Sequence, residues 1–212
     1  MTIEGGMDRL EPKQRLFVAV SLPQEIKTFV NEWMEELKTE LPFQKWMHPE
    51  DLHVTVKFLG ETETENLALI RQALLPAAAA APALRLKLTS LGIFGKPALP
   101  SLLWAGIAGD TEELTTLQSR VEDAMEPLGF AKEDRAYKPH LTLARRGCGS
   151  SGRQYGELNR LKPHDGFQPE WAANALTVYR SRLNHRPMYD LLMTIPFHEL
   201  KNATARELEE LN

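Results

Sequence analysis

The chain has 212 residues, 42% of them hydrophobic and 25% charged, which is enough apolar material for one large domain or for two small lobes sharing an interface. A formal charge of −4 argues against a protein that grips long nucleic acid by phosphate neutralisation alone, yet leaves room for a local basic pocket around one nucleotide end. The single cysteine, Cys148, excludes an intramolecular disulfide and Cys-rich zinc patterns and fits a reducing compartment; with no apolar run of membrane-spanning length and no signal-peptide centre in the first 15 residues, the expected location is the cytoplasm.

In chain order, a polar arm over 1–14 is expected to be disordered. Arg15 to Leu22 (RLFVAVSL), β-branched and aromatic and bounded by Pro23, predicts a buried strand. From Gln24 to Leu41 the residues Ile26, Val30, Trp33 and Leu37 recur at three- and four-residue steps, which predicts an amphipathic helix ended by Pro42. His53 to Gly60 (HVTVKFLG) alternates as a strand does. Thr64 to Ala80 predicts a second helix, capped by Thr62 or Thr64 and interrupted at Pro76. Leu84 to Phe94 and Ser101 to Ala108 flank a Gly/Pro turn and predict a hairpin. Thr111 to Leu128 predicts a third helix, with Leu114, Leu117, Val121 and Met125 on one face and Gly129 as its stop.

His140 to Arg146 (HLTLARR) is the next predicted strand, followed over 147–166 by a Gly/Ser/charged stretch expected to be a functional loop or a disordered tip. Ala172 to Leu183 and Met188 to Phe197 predict a last strand pair, and 199–212 a polar helix or tail. About seven strands and three helices in this order predict an α+β fold. Neither a G-x-G-x-x-G nor a P-loop follows any strand, which argues against classical NAD and P-loop ATP chemistry.

Two strands share one pattern. HVTV at His53 and HLTL at His140 both read His, apolar, Thr, apolar, and each follows a proline-containing entry, HPEDL or AYKP. Residues two apart on a strand point the same way, so each copy displays its histidine and threonine together and buries Val54 and Val56, or Leu141 and Leu143, on the other face. A single H-x-T is more often a half-buried polar pair satisfied by the backbone. Two matching copies are most simply two similar halves facing each other across a groove.

Two imidazoles can serve one reaction as general base and general acid, because an ordinary pKa of about 6.5 lets one be neutral while the other is protonated. Threonine hydroxyls can hold nonbridging phosphate oxygens as charge develops on them, with no metal. The predicted chemistry is metal-independent opening of a phosphodiester. No cofactor is required, and no His or Cys spacing supports a zinc site.

RLFVAVSLP, HVTVKFLGE and YKPHLTLAR together resemble the 2H phosphoesterase superfamily, and within it the bacterial and archaeal RNA 2′,3′-cyclic phosphodiesterases, also called 2′-5′ RNA ligases. The resemblance runs from Arg15 to Phe197. It implies one bilobal domain over 15–198, with two antiparallel sheets related by a pseudo-twofold axis, facing each other across a central cleft, and helices outside. It also implies hydrolysis of 2′,3′-cyclic phosphate on RNA 3′ ends or nucleotides to a 2′-phosphomonoester, with reversible, ATP-independent 2′-5′ joining in some members. His53 would then donate a proton to the leaving 3′ oxygen and His140 accept one from water, while Thr55 and Thr142 hold phosphate oxygens. A monomer is expected, because the site can be assembled within one chain.

Four further residues are candidates for substrate binding. Arg145 matches an arginine that similar family members hold near the phosphate, yet strict alternation puts Ala144 on the His140 face, so Arg145 joins it only if a bulge or the strand end turns it inward. Parity puts Lys57 on the face of His53 and Thr55, where it reaches either substrate or solvent. Phe17 and Tyr137 either stack on a base or belong to the core. His48, His164, His185 and His198 lack the repeated context; Arg180, Arg182 and Arg186 form either a basic rim or a solvated face; Ser150 and Ser151 lack a nucleophile elbow. Two alternatives stay open: the same chemistry on a nucleotide or ADP-ribose cyclic phosphate or a 2′-5′ oligonucleotide, and a non-catalytic module that binds RNA ends.

Overall fold

In a computed structural model of the protein the described residues are 12–148, 158–161 and 169–197. The expectations for the N-terminal arm up to residue 11, for most of the 147–166 stretch with Ser150, Ser151 and His164, and for His198 and the tail lie outside them. Nine strands and three helices follow one another along the described chain: β1 (Lys13–Ser21), α1 (Gln24–Glu40), β2 (Phe43–Trp46), β3 (His53–Glu63), α2 (Leu67–Ala79), β4 (Leu84–Lys96), β5 (Leu99–Gly109), α3 (Thr111–Met125), β6 (His140–Gly147), β7 (Glu170–Ala173), β8 (Ala175–Ser181) and β9 (Tyr189–Pro196). The α+β expectation holds.

All strand pairs are antiparallel, and the order is β7-β4-β5-β6-β3-β1-β8-β9, with β2 beside β6. Two four-stranded halves are evident, β3-β1-β8-β9 and β6-β5-β4-β7. They are joined edge to edge through a single residue pair, Val54 with Leu141, so that the two expected sheets form one continuous ladder. Where β3 diverges from β6, the short β2 takes over that edge, pairing Lys45 with Arg145 and Trp46 with Ala144. It supplies the hydrogen bonds that the β6 backbone would otherwise lack.

The periodic apolar positions are the buried ones. Val30, Trp33, Met34 and Leu37 of α1 and Leu114, Leu117, Val121 and Met125 of α3 pack with Leu16, Val18 and Val20 of β1 and with Val54, Val56, Leu141 and Leu143 in one core. Gly129 ends the third helical segment in the left-handed conformation, with φ of 89°, a geometry that favours glycine.

Three expectations change. Pro76 does not break α2, because it lies in the last turn, where the helix gives up one backbone hydrogen bond and runs only to Ala79. The hairpin is tighter than predicted, since β4 and β5 extend to leave only Pro97 and Ala98 between them. The run Ala172 to Leu183 is not one strand: at Asn174 the chain leaves one half, where Ala173 pairs with Leu84, and enters the other, where Ala175 pairs with Pro196. Residue type is the same on both sides of that step, and only the partner differs.

One ionic contact lies inside the packing. Lys57 of β3 and Glu122 of α3 are both buried and form an ion pair, and Lys57 Nζ also donates to the Ala131 carbonyl at 2.8 Å. Removing one member of such a pair leaves an uncompensated buried charge, typically at about 3–5 kcal/mol. Lys57→Met or Glu122→Gln is therefore expected to lower stability by about 3 kcal/mol in urea unfolding. The double replacement Lys57→Met/Glu122→Leu should recover most of the loss; strictly additive losses would show that the pair is not coupled.

Candidate active site

β3 and β6 begin at His53 and His140, and the one pair that joins the halves, Val54 with Leu141, is the next residue in each strand. The two imidazoles are thereby brought to one place from opposite directions. Each is oriented in the same manner: His53 Nδ1 donates to the Asp51 carbonyl at 2.7 Å and His140 Nδ1 to the Lys138 carbonyl at 2.7 Å. A carbonyl only accepts, so the proton of each neutral ring sits on Nδ1 and Nε2 carries the lone pair. His53 Nε2 takes a hydrogen bond from the Thr55 hydroxyl at 3.1 Å.

The entry to the first motif is built by local chemistry. A short 3-10 turn, Pro49–Asp51, carries the carbonyl that holds His53, and the His48 side chain caps the turn by accepting from the Glu50 N–H at 3.2 Å. The buried Asp51 carboxylate accepts from the backbone N–H groups of Met188, at 2.8 and 3.0 Å, and of Tyr189, at 3.0 Å. One residue thus orients the imidazole through its main chain and ties β9 down through its side chain.

Both motif strands carry a bulge at the same place. The β1–β3 register passes from Ala19 with Thr55 to Val18 with Lys57, leaving Val56 without a partner. The β5–β6 register passes from Trp104 with Thr142 to Leu103 with Ala144, leaving Leu143 without one; the Leu143 carbonyl accepts instead from Met47 N–H at 2.9 Å. An extra residue on one strand inverts the alternation beyond it. The fifth residue after each histidine, Phe58 and Arg145, therefore joins the His/Thr face. Arg145 is close enough for its charge to act on His53, His140 and Tyr189. Its buried Nε has no hydrogen-bond partner among the described residues.

The same inversion takes Lys57 off the His/Thr face, where strict alternation puts it, and into its pair with Glu122; both still border the cavity that Thr55 and His140 line. Tyr137 is a brace: its hydroxyl donates to the Thr55 carbonyl at 2.9 Å, and burial pushes its pKa up. Phe17, only 3% exposed, has no free face for a base, since it is stacked on Tyr179 at 5.3 Å, tilted against His53 at 4.7 Å and edged by Tyr189 at 4.9 Å. It is the floor beneath His53. Of the arginine rim, Arg180 and Arg182 are held by Asp190 at 2.7 and 3.3 Å, while Arg186 stays exposed.

Several site residues are not evident in the sequence. Tyr189 stands edge-on to His53 at 5.2 Å, Phe94 edge-on to His140 at 5.1 Å, and Trp104 lies 6.2 Å from His140 with Lys138 Nζ 4.4 Å from a ring centroid. Trp104 fits because its cross-strand partner is Gly92, where a Cβ would come within 2.2 Å of the indole. An isolated glycine inside a strand pattern signals such a close approach. Phe58, 68% exposed, lines a cavity of about 490 Å³ together with Thr55, Phe94, Tyr137, Lys138 and His140.

Electrostatics suit an anion. Burial holds the His53 pKa at about 4, against the pull of the Asp51 carbonyl, and burial also lowers that of His140; the Arg145 charge adds to both shifts. With the rings neutral, Arg145 and Lys138 leave the cleft positive, and a bound phosphate would favour the imidazolium form. Two Nε2 atoms, two threonine hydroxyls and one guanidinium can exchange protons with a phosphate ester and hold its oxygens. Among the described residues no three His, Cys, Asp or Glu side chains group as metal ligands would, and no helix is long and apolar enough to cross a membrane.

Known proteins resemble this chain in sequence and in fold. The RNA 2′,3′-cyclic phosphodiesterase of Geobacillus stearothermophilus is 29% identical over 184 residues, 87% of this chain, which spans 57% of that longer protein's length. That of Bacillus subtilis is 28% identical over 82% of this chain and 91% of its own, and that of Archaeoglobus fulgidus 34% identical over 62% and 72%. Among solved structures, a Thermus thermophilus protein superposes with a TM-score of 0.67 at 26% identity, over 87% of this chain and 98% of its own. Escherichia coli LigT complexed with 3′-AMP superposes with a TM-score of 0.66 at 23% identity over the same shares, a likeness of fold. The family model of the 2′-5′ RNA ligase superfamily matches residues 22–184, and the chain belongs to that superfamily.

Proposed function

We propose that the protein hydrolyses 2′,3′-cyclic phosphate at RNA 3′ ends to the 2′-phosphomonoester, by acid/base catalysis between two histidines without a metal. The observation that carries this reading is the matched presentation of the His53 and His140 Nε2 atoms, each ring fixed through Nδ1 by the carbonyl two residues before it. The relatives named RNA 2′,3′-cyclic phosphodiesterase support the substrate class.

In this mechanism a water oxygen attacks phosphorus and gives its proton to His140 Nε2, while the bond from phosphorus to O3′ breaks and O3′ takes the proton of His53 Nε2. His140 is the more open of the two rings, where water arrives, and His53 the more enclosed. Thr55, Thr142 and Arg145 hold the nonbridging oxygens, whose charge grows in the transition state. The charge of a bound phosphate raises the His53 pKa from its free-site value of about 4, so that the ring is protonated in the complex and can give that proton to O3′ as the ester bond breaks. With the terminal base between the rings of Phe58 and Phe94, the reacting phosphate falls at the centre of the cleft. A 5′ hydroxyl in place of water would open the cyclic ester to a 2′-5′ linkage, and its reversal needs no ATP.

His53→Ala and His140→Ala are each expected to lose about 10²–10⁴-fold in turnover of a cyclic-phosphate substrate assayed in EDTA by product chromatography. Full activity in either variant would rule the mechanism out. The pH dependence has a definite sign: the acid must be protonated and the base neutral, and burial lowers both histidine pKa values below the usual 6.5. kcat/KM should therefore fall by roughly tenfold per pH unit above about pH 6.5, as the protonated fraction of the acid shrinks. A profile flat from pH 6.5 to 8 would contradict the assignment.

A further inference from the structure

A second cavity, of about 300 Å³, lies between β2 and the turn before β9; Lys45, Trp46, His48, Asp51, Arg186 and Met188 are in its wall. Lys45 is the direct cross-strand partner of Arg145, so the two side chains stand side by side on the same sheet face. The cations around this cavity are of two kinds. Lys27, Lys38, Arg180 and Arg182 each hold a carboxylate, of Glu50, Glu35 or Asp190. Lys45 and Arg186 are exposed and hold none among the described residues; Lys45 rests only on the Met188 sulfur at 2.9 Å, a weak acceptor. The one carboxylate in the wall, Asp51, is occupied by the N–H groups of Met188 and Tyr189. Two uncommitted cations beside a half-buried indole, one strand away from the arginine of the reacting phosphate, match a backbone phosphate with its neighbouring base or sugar.

We infer that this cavity is a second phosphate site, which binds the phosphodiester on the 5′ side of the terminal nucleotide, so that the substrate is an oligoribonucleotide end and not a free cyclic mononucleotide. The inference rests on the reading of the central cleft given above. In this arrangement the cleft is polar along its length: Phe58 and Phe94 take the terminal base, the two His/Thr units and Arg145 take the cyclic phosphate, and Lys45 and Arg186 take the preceding phosphate. Neither Lys45 nor Arg186 touches the reacting group, so both act on binding alone.

The test compares a 2′,3′-cyclic mononucleotide with a hexaribonucleotide carrying the same cyclic end, using the full chain and the variant Lys45→Gln/Arg186→Gln. The wild-type protein should favour the hexamer in kcat/KM by about tenfold, and the variant should lose that preference while turning over the mononucleotide at the wild-type rate. The slope of log kcat/KM against log salt for the hexamer should become shallower in the variant by about 0.7, the value for one single-strand phosphate contact. Equal wild-type rates on the two substrates, or an equal loss on both in the variant, would overturn the second site. Fluorescence anisotropy with a labelled hexamer ending in a 2′-phosphate separates the two readings. Binding weakened by the double replacement in a protein without turnover would uphold the second site and reject the phosphodiesterase reading; binding unchanged by it would reject the second site whatever the turnover.

Discussion

Everything in the cleft depends on the pairing of Val54 with Leu141. Two sheets that met over a longer front would be locked flat against each other, whereas one pair lets β3 and β6 cross and diverge. Because a histidine immediately precedes each of these residues, the crossing point of the backbone is also the meeting point of the imidazoles. The carbonyls of Asp51 and Lys138 then do the same for each ring, so that pseudo-symmetry extends from the strands to the tautomers. No separate device is needed to align the two groups.

The symmetry stops where the halves must differ. Equivalent bulges at Val56 and Leu143 bring the fifth residue after each histidine onto the working face, and there one half has Phe58 and the other Arg145. Two identical displacements with different side chains put an aromatic ring on the working face of one half and a guanidinium on that of the other. The displaced residue of the first half is used as well: Lys57 enters its pair with Glu122, which fastens α3 to β3.

Much of this was legible in the chain. The apolar alternation around His53 and His140, the helical stripes of α1 and α3, and the stop at Gly129 depend on local period and local sterics, which single residues report. Thr55 and Thr142 followed from parity alone. The bulges did not, because a bulge is a count of residues against a partner strand, and the partner cannot be seen from within the segment; parity alone therefore puts Lys57 on the His/Thr face, where the bulge places Phe58. Tyr189, Phe94 and Trp104 reach the histidines from strands distant in sequence, and a four-residue β2 is too short to show a period. The split at Asn174 is invisible in composition, since both flanks are strand-forming.

That split governs how the molecule is assembled. Because the chain crosses from β7 to β8 at Asn174, the half with His140 is one continuous stretch, 84–173, whereas the half with His53 combines residues 13–63 with 175–196, and Thr177 donates to the Ala19 carbonyl across 158 positions. Pairings of such separation close large loops before they gain any contact, which slows folding. During synthesis His53 and Asp51 emerge early, but the backbone N–H groups that Asp51 binds and the Tyr189 edge against His53 arrive only with the last strand. The nascent protein therefore completes the half with His140 first, and His53 gains its full set of contacts only when the C-terminal strands close over it.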